Sequence, residues 1–484
     1  LDDKRTYAML ARGETIGLFQ LNGAGMTKWL MELRASSIHD INAMVALYRP
    51  GPMQFIPDYI KRKHDPSLIS YLDPSLEEIL KQTYGILVYQ DDLLIMANKL
   101  AGYSWGEVDK FRKAVGKKIP EEMAKQKEKF IKGCIENAGW SEKKSQEIWA
   151  WIEPFAAYGF NKAHSASYGR VAYQTAYMKA NFPAEYMTAV LSAEAGDTEK
   201  ISEVIAECKR MKIPVLPPDI NASYAQFTVI KGEEGDDTKI SKDQIRFGLY
   251  TIKNLGEAIS DAIILERDEN GPYKNFTEFL ERVTHKDLNK KSLESLIRAG
   301  AFDSLGEERG SLLHNIDDAL EYHKAHAREK ASAQVSLFSV MQDTHALPTL
   351  RFRPAPEISQ EDKLAWEKEL LGLYISGHPL DKHRERLEKG GVNIKQVSED
   401  SRDGMNTLVA GIIEEHKLIL TKKNEHMAFL KIADFTGSIE VVVFPRTLTE
   451  CGEFIGPDKL IAVKGRFSRR NDSPSVIAEK IKAL

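Results

Sequence analysis

Cysteine is scarce: Cys134, Cys208 and Cys451 are the three in 484 residues, and they lie far apart. That spacing excludes a disulfide framework and any Cys-x-x-Cys metal pattern, so a reducing cytoplasm is the expected compartment. Long apolar runs are lacking as well. None approaches the ~18 residues needed to cross a bilayer, so no membrane partner is expected. Nor is one sign of charge in excess: the net charge of −4 argues against a small domain coated in positive charge, although an average conceals local clusters. The chain opens Leu1-Asp2-Asp3-Lys4-Arg5 rather than on a Met followed by a basic and apolar signal, and is expected to begin inside a longer protein. No repeat of fixed period runs through it.

What is present is 42% hydrophobic and 29% charged residues, the composition of a soluble globular chain. Domains usually hold roughly 100–200 residues, so three or four compact units are expected. The expected fold class is multi-domain α+β, mostly α-helical at first, then a helix-hairpin-helix, then a small β-barrel of OB type. Residues 1–212 read as helical, with apolar positions three and four apart, as at Leu93, Met96, Ala97 and Leu100. Pro214, Pro217 and Pro218 end that block. Residues 213–325 carry a small β element at 224–250 and further helices. Residues 326–362 lack a sustained period and are rich in Ala, Ser, Gln and Pro, a linker carrying an apolar patch. A helical connector at 363–405 precedes the β-branched runs of 406–484, which predict four or five strands.

Two loops combine Gly, Pro and cations: Arg49-Pro50-Gly51-Pro52 and Gly116-Lys117-Lys118-Ile119-Pro120. Such residues break helices and leave backbone and charge to a ligand. Lys110, Arg112, Lys113, Lys117 and Lys118 place five cations in nine residues without an intervening acid. Arg grips phosphate oxygens with a planar fork and Lys supplies a mobile charge, so the mixture suits a triphosphate or a DNA backbone. A solvated helix face is the ordinary alternative for a charge run. Asn161, Lys162 and His164 sit among Tyr158, Phe160, Tyr168 and Tyr173, a set able to stack bases and neutralise phosphate. A buried structural role for His164 is the other reading.

Five motifs follow in order: Gly17-Leu18-Phe19-Gln20-Leu21, Tyr48-Arg49-Pro50-Gly51-Pro52, Tyr84-Gly85-Ile86-Leu87-Val88-Tyr89-Gln90, Phe111-Arg112-Lys113-Ala114-Val115-Gly116-Lys117-Lys118 and Tyr158-Gly159-Phe160-Asn161-Lys162-Ala163-His164. They resemble the fingers of the bacterial C-family replicative DNA polymerases, the alpha subunits of DNA polymerase III, and the resemblance extends over essentially the whole chain. It implies a DNA-directed DNA polymerase as the full-length protein. Its partners would be primer-template DNA, deoxynucleoside triphosphates, a sliding clamp and other replicase subunits. It also implies that Arg49, Tyr89, Gln90, Arg112, Lys113, Lys117, Lys118, Asn161, Lys162 and His164 face the incoming nucleotide or DNA. The chain departs from the family at Tyr89-Gln90-Asp91, where Tyr-Gln-Glu is common, and at Gln20-Leu21-Asn22-Gly23, where Gln-Leu-Glu-Ser is common.

Nucleotidyl transfer uses two metal ions about 3.5–4 Å apart on carboxylates. By resemblance these are Mg2+ ions on palm acids outside this sequence; no Asp-x-Asp occurs in it, and Pro218-Asp219-Ile220-Asn221 reads as a turn or helix cap. No catalytic or metal-binding residue is expected here, and the chain alone is expected to be inactive.

Thr251 to Ile263 fits a helix-hairpin-helix in which Lys253, Leu255 and Gly256 present a turn and a helix N-terminus to phosphate. Asn254 replaces a usual Gly there and tolerates positive φ; an ordinary helix start is the alternative. Gln334-Val335-Ser336-Leu337-Phe338 resembles the bacterial clamp-binding pentapeptide, with Gln334, Leu337 and Phe338 as its contacts. The barrel offers Lys422, Lys423, Arg446, Arg466, Arg469 and Arg470 to a single strand, or simply to solvent. Two competing readings are a non-enzymatic, clamp-tethered DNA-binding protein and an error-prone relative of the same family; the clamp peptide weighs against the latter.

Overall fold

Apolar residues at helical spacing build the first unit, residues 1–215 with 227–245. The computed structural model describes every residue except 118–119, 156–158, 233–242, 334–349, 390–392, 422 and 471–472. Two hydrophobic cores form within this unit. The first gathers Leu10, Leu30, Ile41, Met44, Tyr59, Tyr89, Ala172 and Tyr173; the second gathers Leu80, Leu93, Met96, Phe111, Phe130 and Trp149. Tyr89 and Leu93 belong to different cores yet flank one turn, so the helix Gln90–Lys99 starts at the seam between them.

The first core is organised around a buried carboxylate. Ser37 and Asp40 form a capping box at the start of helix Ile38–Leu47. Asp40 also pairs with Lys63 at 3.1 Å and accepts hydroxyl bonds from Tyr59 at 3.3 Å and Tyr84 at 3.2 Å. Helix Lys162–Asn181 packs across Ile38–Leu47, closely enough that a Cβ at Gly169 would stand 1.9 Å from Asn42 Oδ1. At its far end Lys179, fully buried, donates to Glu207 at 2.6 Å and to the carbonyls of Glu14 at 3.1 Å and Ile16 at 2.8 Å. This ammonium ties the loop after the first helix to two later helices.

The second unit comprises residues 216–226 and 246–484. Asp219 is a turn residue, its Oδ1 accepting from the Asn221 N–H at 2.8 Å. Helices Glu257–Asn270, Phe276–Arg282, Lys290–Arg298, Ile316–Ala333 and Gln360–Leu371 follow, and Phe276 and Phe279 of the second pack on Phe302, with Tyr273 against Phe279. Buried Glu367 accepts from Arg309 and from the N–H groups of Ile375 and Ser376, both at 2.9 Å, which fixes the loop through Gly377.

Five strands then close a barrel: Asn406–Leu420, His426–Ala433, Ser438–Val443, Ser473–Ala483 and Leu460–Arg470 in spatial order. All pairings are antiparallel except Ser438–Val443 against Ser473–Ala483. Ile412 pairs with both Ala433 and Leu460, so the first strand bridges both neighbours. Alternating Val409, Ile413, Leu430, Ile432, Val441, Val463, Val476 and Ile481 fill the interior. Multi-domain α+β with a helix-hairpin-helix and an OB-type barrel is therefore the observed class.

Candidate nucleotide and DNA interface

Two helix starts meet at the seam of the first unit. Tyr89, extended, bridges in parallel to Phe160, and the Gln90 N–H donates to the Phe160 carbonyl at 2.9 Å. Asn161 then caps helix Lys162–Asn181, its Oδ1 accepting from the His164 N–H at 2.7 Å. The Lys162 N–H donates to Asp91 Oδ2 at 2.7 Å. Asp91 thus lies in the first turn of its own helix and on the first N–H of helix Lys162–Asn181, and negative charge is favoured at both of these N-termini.

Cations and rings surround this junction. The Arg49 guanidinium lies 4.3 Å from the Phe160 ring centroid and its Nε donates to the Ala46 carbonyl at 2.9 Å; burial pushes its pKa down. The Lys162 ammonium stands 3.3 Å from Asp92 Oδ1 and 5.3 Å from the Tyr89 ring. Burial pushes the Asp92 carboxyl up to about 6, against the pull of Lys162. Tyr89 is itself buried, its phenol pushed up by desolvation, so it is part of the wall. His164 is exposed, so it is not a buried structural histidine. Its ring is tilted by 49° to Phe160 at 5.4 Å and by 46° to Tyr168 at 4.2 Å, and Tyr168 lies 5.3 Å from Phe19, again tilted. An exposed ring in such a file can offer its own face to a base.

Arg49, Tyr89, Gln90, Asn161, Lys162 and His164 are therefore brought together. Arg112 and Lys113 are not part of this junction. They project from helix Trp105–Lys117 of the second core and pair with Asp109 at 2.8 Å and 2.7 Å. Lys117 ends that helix, and Lys118 lies outside the described residues. Sequence reasoning missed Asp109, one residue before the cation cluster, and Asp92, whose partner is 70 positions away. The first was legible from helical spacing. The second was not.

In the hairpin, Asn254 takes φ 68° and Gly256 caps helix Glu257–Asn270 without a side-chain cap bond. Lys253 and Gly256 are exposed, whereas Leu255 is buried and anchors the turn. The Lys253 N–H is taken by the Leu370 carbonyl at 3.0 Å, leaving its side chain as the contact it can offer. Arg267 is buried and donates to the carbonyls of Ile220 at 3.3 Å and Ser223 at 2.7 Å, so it braces the hairpin. Gln334, Leu337 and Phe338 lie outside the described residues.

On the barrel, Arg466 pairs with Glu479 at 2.9 Å, Arg446 with Glu450 at 3.1 Å, and Arg469 donates to the Ser398 carbonyl at 2.6 Å. Lys423 is exposed, Lys422 lies outside the described residues, and Phe444 but not Phe467 is open to solvent. Among the described residues no group of three or more His, Cys, Asp or Glu side chains is placed to hold a metal ion. No helix among them is long and apolar enough to cross a membrane.

Residues 1–138 match the family model of the bacterial DNA polymerase III alpha subunit finger domain. Residues 212–312 match a helix-hairpin-helix motif, and 407–484 an OB-fold nucleic acid binding domain. The DNA polymerase III subunit alpha of Borreliella burgdorferi is 38% identical over 99% of this chain, and that of Treponema pallidum 39% over 99%. That of Thermus aquaticus is 42% identical over 92%. The chain spans 41%, 40% and 36% of the lengths of these three relatives. With all three modules in order and this likeness along nearly its full extent, the chain belongs to the bacterial DNA polymerase III alpha subunit family.

Proposed function

We propose that this chain is the part of a replicative DNA-directed DNA polymerase that receives the incoming deoxynucleoside triphosphate, holds primer-template DNA and tethers both to a sliding clamp. The convergence of Arg49, Gln90, Asn161, Lys162 and His164 at the Tyr89–Phe160 bridge carries this reading. The half-exposed Lys162 ammonium and the rings beside it supply two of the interactions that a nucleotide asks for, charge and stacking. Arg112, Lys113, Lys117 and Lys118 would serve the DNA backbone from the neighbouring helix, and the uncapped Gly256 helix start with Lys253 a second stretch of duplex.

In the full-length subunit, Lys162→Met raises the nucleotide KM by about tenfold, the loss of one charge-assisted contact. Unchanged KM and unchanged DNA affinity refute the assignment. Magnesium and its carboxylates belong, in this reading, to a palm outside the 484 residues, so the chain alone does not extend a primer; template-dependent extension by it would overturn that.

The clamp contact rests on Gln334, Leu337 and Phe338. Burying the two apolar side chains contributes roughly 1.5–3 kcal/mol each before ordering costs, a weak contact that tethering to bound DNA makes effective. Leu337→Ala with Phe338→Ala abolishes capture by the clamp and leaves free DNA binding nearly unaltered. Undiminished capture removes this assignment. Other replicase subunits would assemble around these same modules.

A further inference from the structure

The neighbouring carboxylates Asp91 and Asp92 meet Lys162 in different ways. Asp91 takes the main-chain N–H at 2.7 Å, a strong and permanent bond at a helix start. Asp92, only 1% exposed, takes the ammonium, at 3.3 Å. Its second oxygen, Oδ2, has no hydrogen-bond partner among the described residues. A buried carboxylate normally accepts several hydrogen bonds, and an ion pair that serves stability satisfies both oxygens. This one leaves Oδ2 without a hydrogen bond, and beyond Lys162 the Tyr89 main chain is, among the described residues, the one further group that favours its charge. The Lys162 side chain, meanwhile, keeps 38% of its surface in solvent, and its ammonium also faces the Tyr89 ring. It can turn outward without disturbing the core.

We propose that Asp92 is a positioning residue that parks the Lys162 ammonium in the empty site and yields it to a phosphate oxygen of the incoming nucleotide. This rests on the reading of Lys162 as a phosphate contact. When Lys162 turns away it keeps its proton, and Asp92 is left as an uncompensated buried charge. Asp92 then takes up one proton from solvent and becomes a neutral carboxylic acid, so nucleotide binding is linked to proton uptake. Burial already holds this carboxyl at about 6 with Lys162 in place, and removing the cation raises it further.

The other charged and titratable groups around it are few. Asp91 lies on its own helix and disfavours its charge. The Tyr89 phenol precedes that helix, and Asp40, with Tyr59, Tyr84 and Lys63 bound to it, bears on that phenol from the first core. Arg49 lies over Phe160 across the bridge.

The test uses the full-length subunit on a dideoxy-terminated primer-template, titrated calorimetrically with the complementary deoxynucleoside triphosphate in two buffers of different ionisation enthalpy. Wild-type protein takes up a fraction of a proton near pH 7, and its affinity falls as pH rises from 6.5 to 8.5. Asp92→Asn binds several-fold tighter at pH 7.5, because no carboxylate competes for the ammonium. It also loses the part of the uptake that the nucleotide's own phosphate does not account for. Unchanged or weaker binding by Asp92→Asn, or proton uptake equal to wild type, overturns the proposal. Lys162→Met separates the two levels. If it leaves affinity unaltered, the phosphate reading of Lys162 fails; if it weakens binding while Asp92→Asn changes nothing, only the parking role fails.

Discussion

Asp92 also makes a prediction about stability that needs no nucleotide. Its carboxyl is raised from 3.8 in the unfolded chain to about 6 in the fold, chiefly by burial and in spite of Lys162. Between those two values the folded chain holds a proton that the unfolded chain has released. The resulting stabilisation is full below about pH 4 and is lost as pH rises through about 6. A shift of about two units corresponds to about 3 kcal/mol at neutral pH. Asn cannot ionise and keeps the shape, but its amide sits beside the ammonium and recovers only part of this. A gain of about 1–2 kcal/mol is therefore expected for Asp92→Asn at pH 7.5, and close to none at pH 4.5, where wild-type Asp92 is itself neutral. Thermal unfolding followed through the fluorescence of Trp149 and Trp140, both in the core to which Leu93 belongs, reads this directly. The difference in Tm should grow to several degrees between the two pH values. Parallel Tm curves from pH 4.5 to 7.5 would show that Asp92 does not titrate with folding.

Three further perturbations test the frame around the site. Lys179→Met removes one half of a buried pair, which ordinarily costs 3–5 kcal/mol. Glu207 retains Arg210 at 2.7 Å and 2.8 Å, so a loss near 3 kcal/mol is expected, with hydrogen exchange accelerated in the loop at Glu14–Gly17; a loss below about 1 kcal/mol contradicts the network. Gly169→Ala sets a methyl 1.9 Å from Asn42 Oδ1 and should cost about 1–3 kcal/mol. Adding Asn42→Ala should restore most of it in a denaturant titration, and failure to do so places the clash elsewhere. Asn254→Ala forces a Cβ without a polar side chain into φ 68° and should cost about 1 kcal/mol, while Asn254→Gly is neutral or stabilising.

What the sequence disclosed depended on how far apart the interacting residues were. The β-branched runs of the barrel declare their strands because inward and outward positions alternate within each run, as His426–Ala433 does. Asn161 is legible as a helix cap because its partner, the His164 N–H, is three residues on. The cation cluster around Arg112 is visible as a run, but its neutralising Asp109 lies one helical turn back, outside that run. The Tyr89–Phe160 bridge and the Asp92–Lys162 pair join residues some 70 positions apart, and no local period encodes such meetings. Likewise Tyr89, Leu255 and Arg267 carry side chains suited to a ligand, yet the fold spends all three on its interior.

The cations of this chain are held in reserve at different depths, and this reconciles a net charge of −4 with a nucleic-acid role. Arg112 and Lys113 rest on Asp109 in open solvent, at helical spacing. Water and salt screen such pairs, so a DNA phosphate displaces them at little cost and with little discrimination. Arg466 on Glu479 is another pair of this exposed kind. Lys162 rests instead on a carboxylate that the core has stripped of water. On the proposed function, moving it requires a strong, well-placed acceptor, which a triphosphate in register would be and a passing backbone phosphate would not, and a proton that Asp92 would take from solvent. On the proposed function, shallow pairing would suit surfaces that slide along DNA, and deep pairing would suit a position at which a nucleotide is accepted or refused.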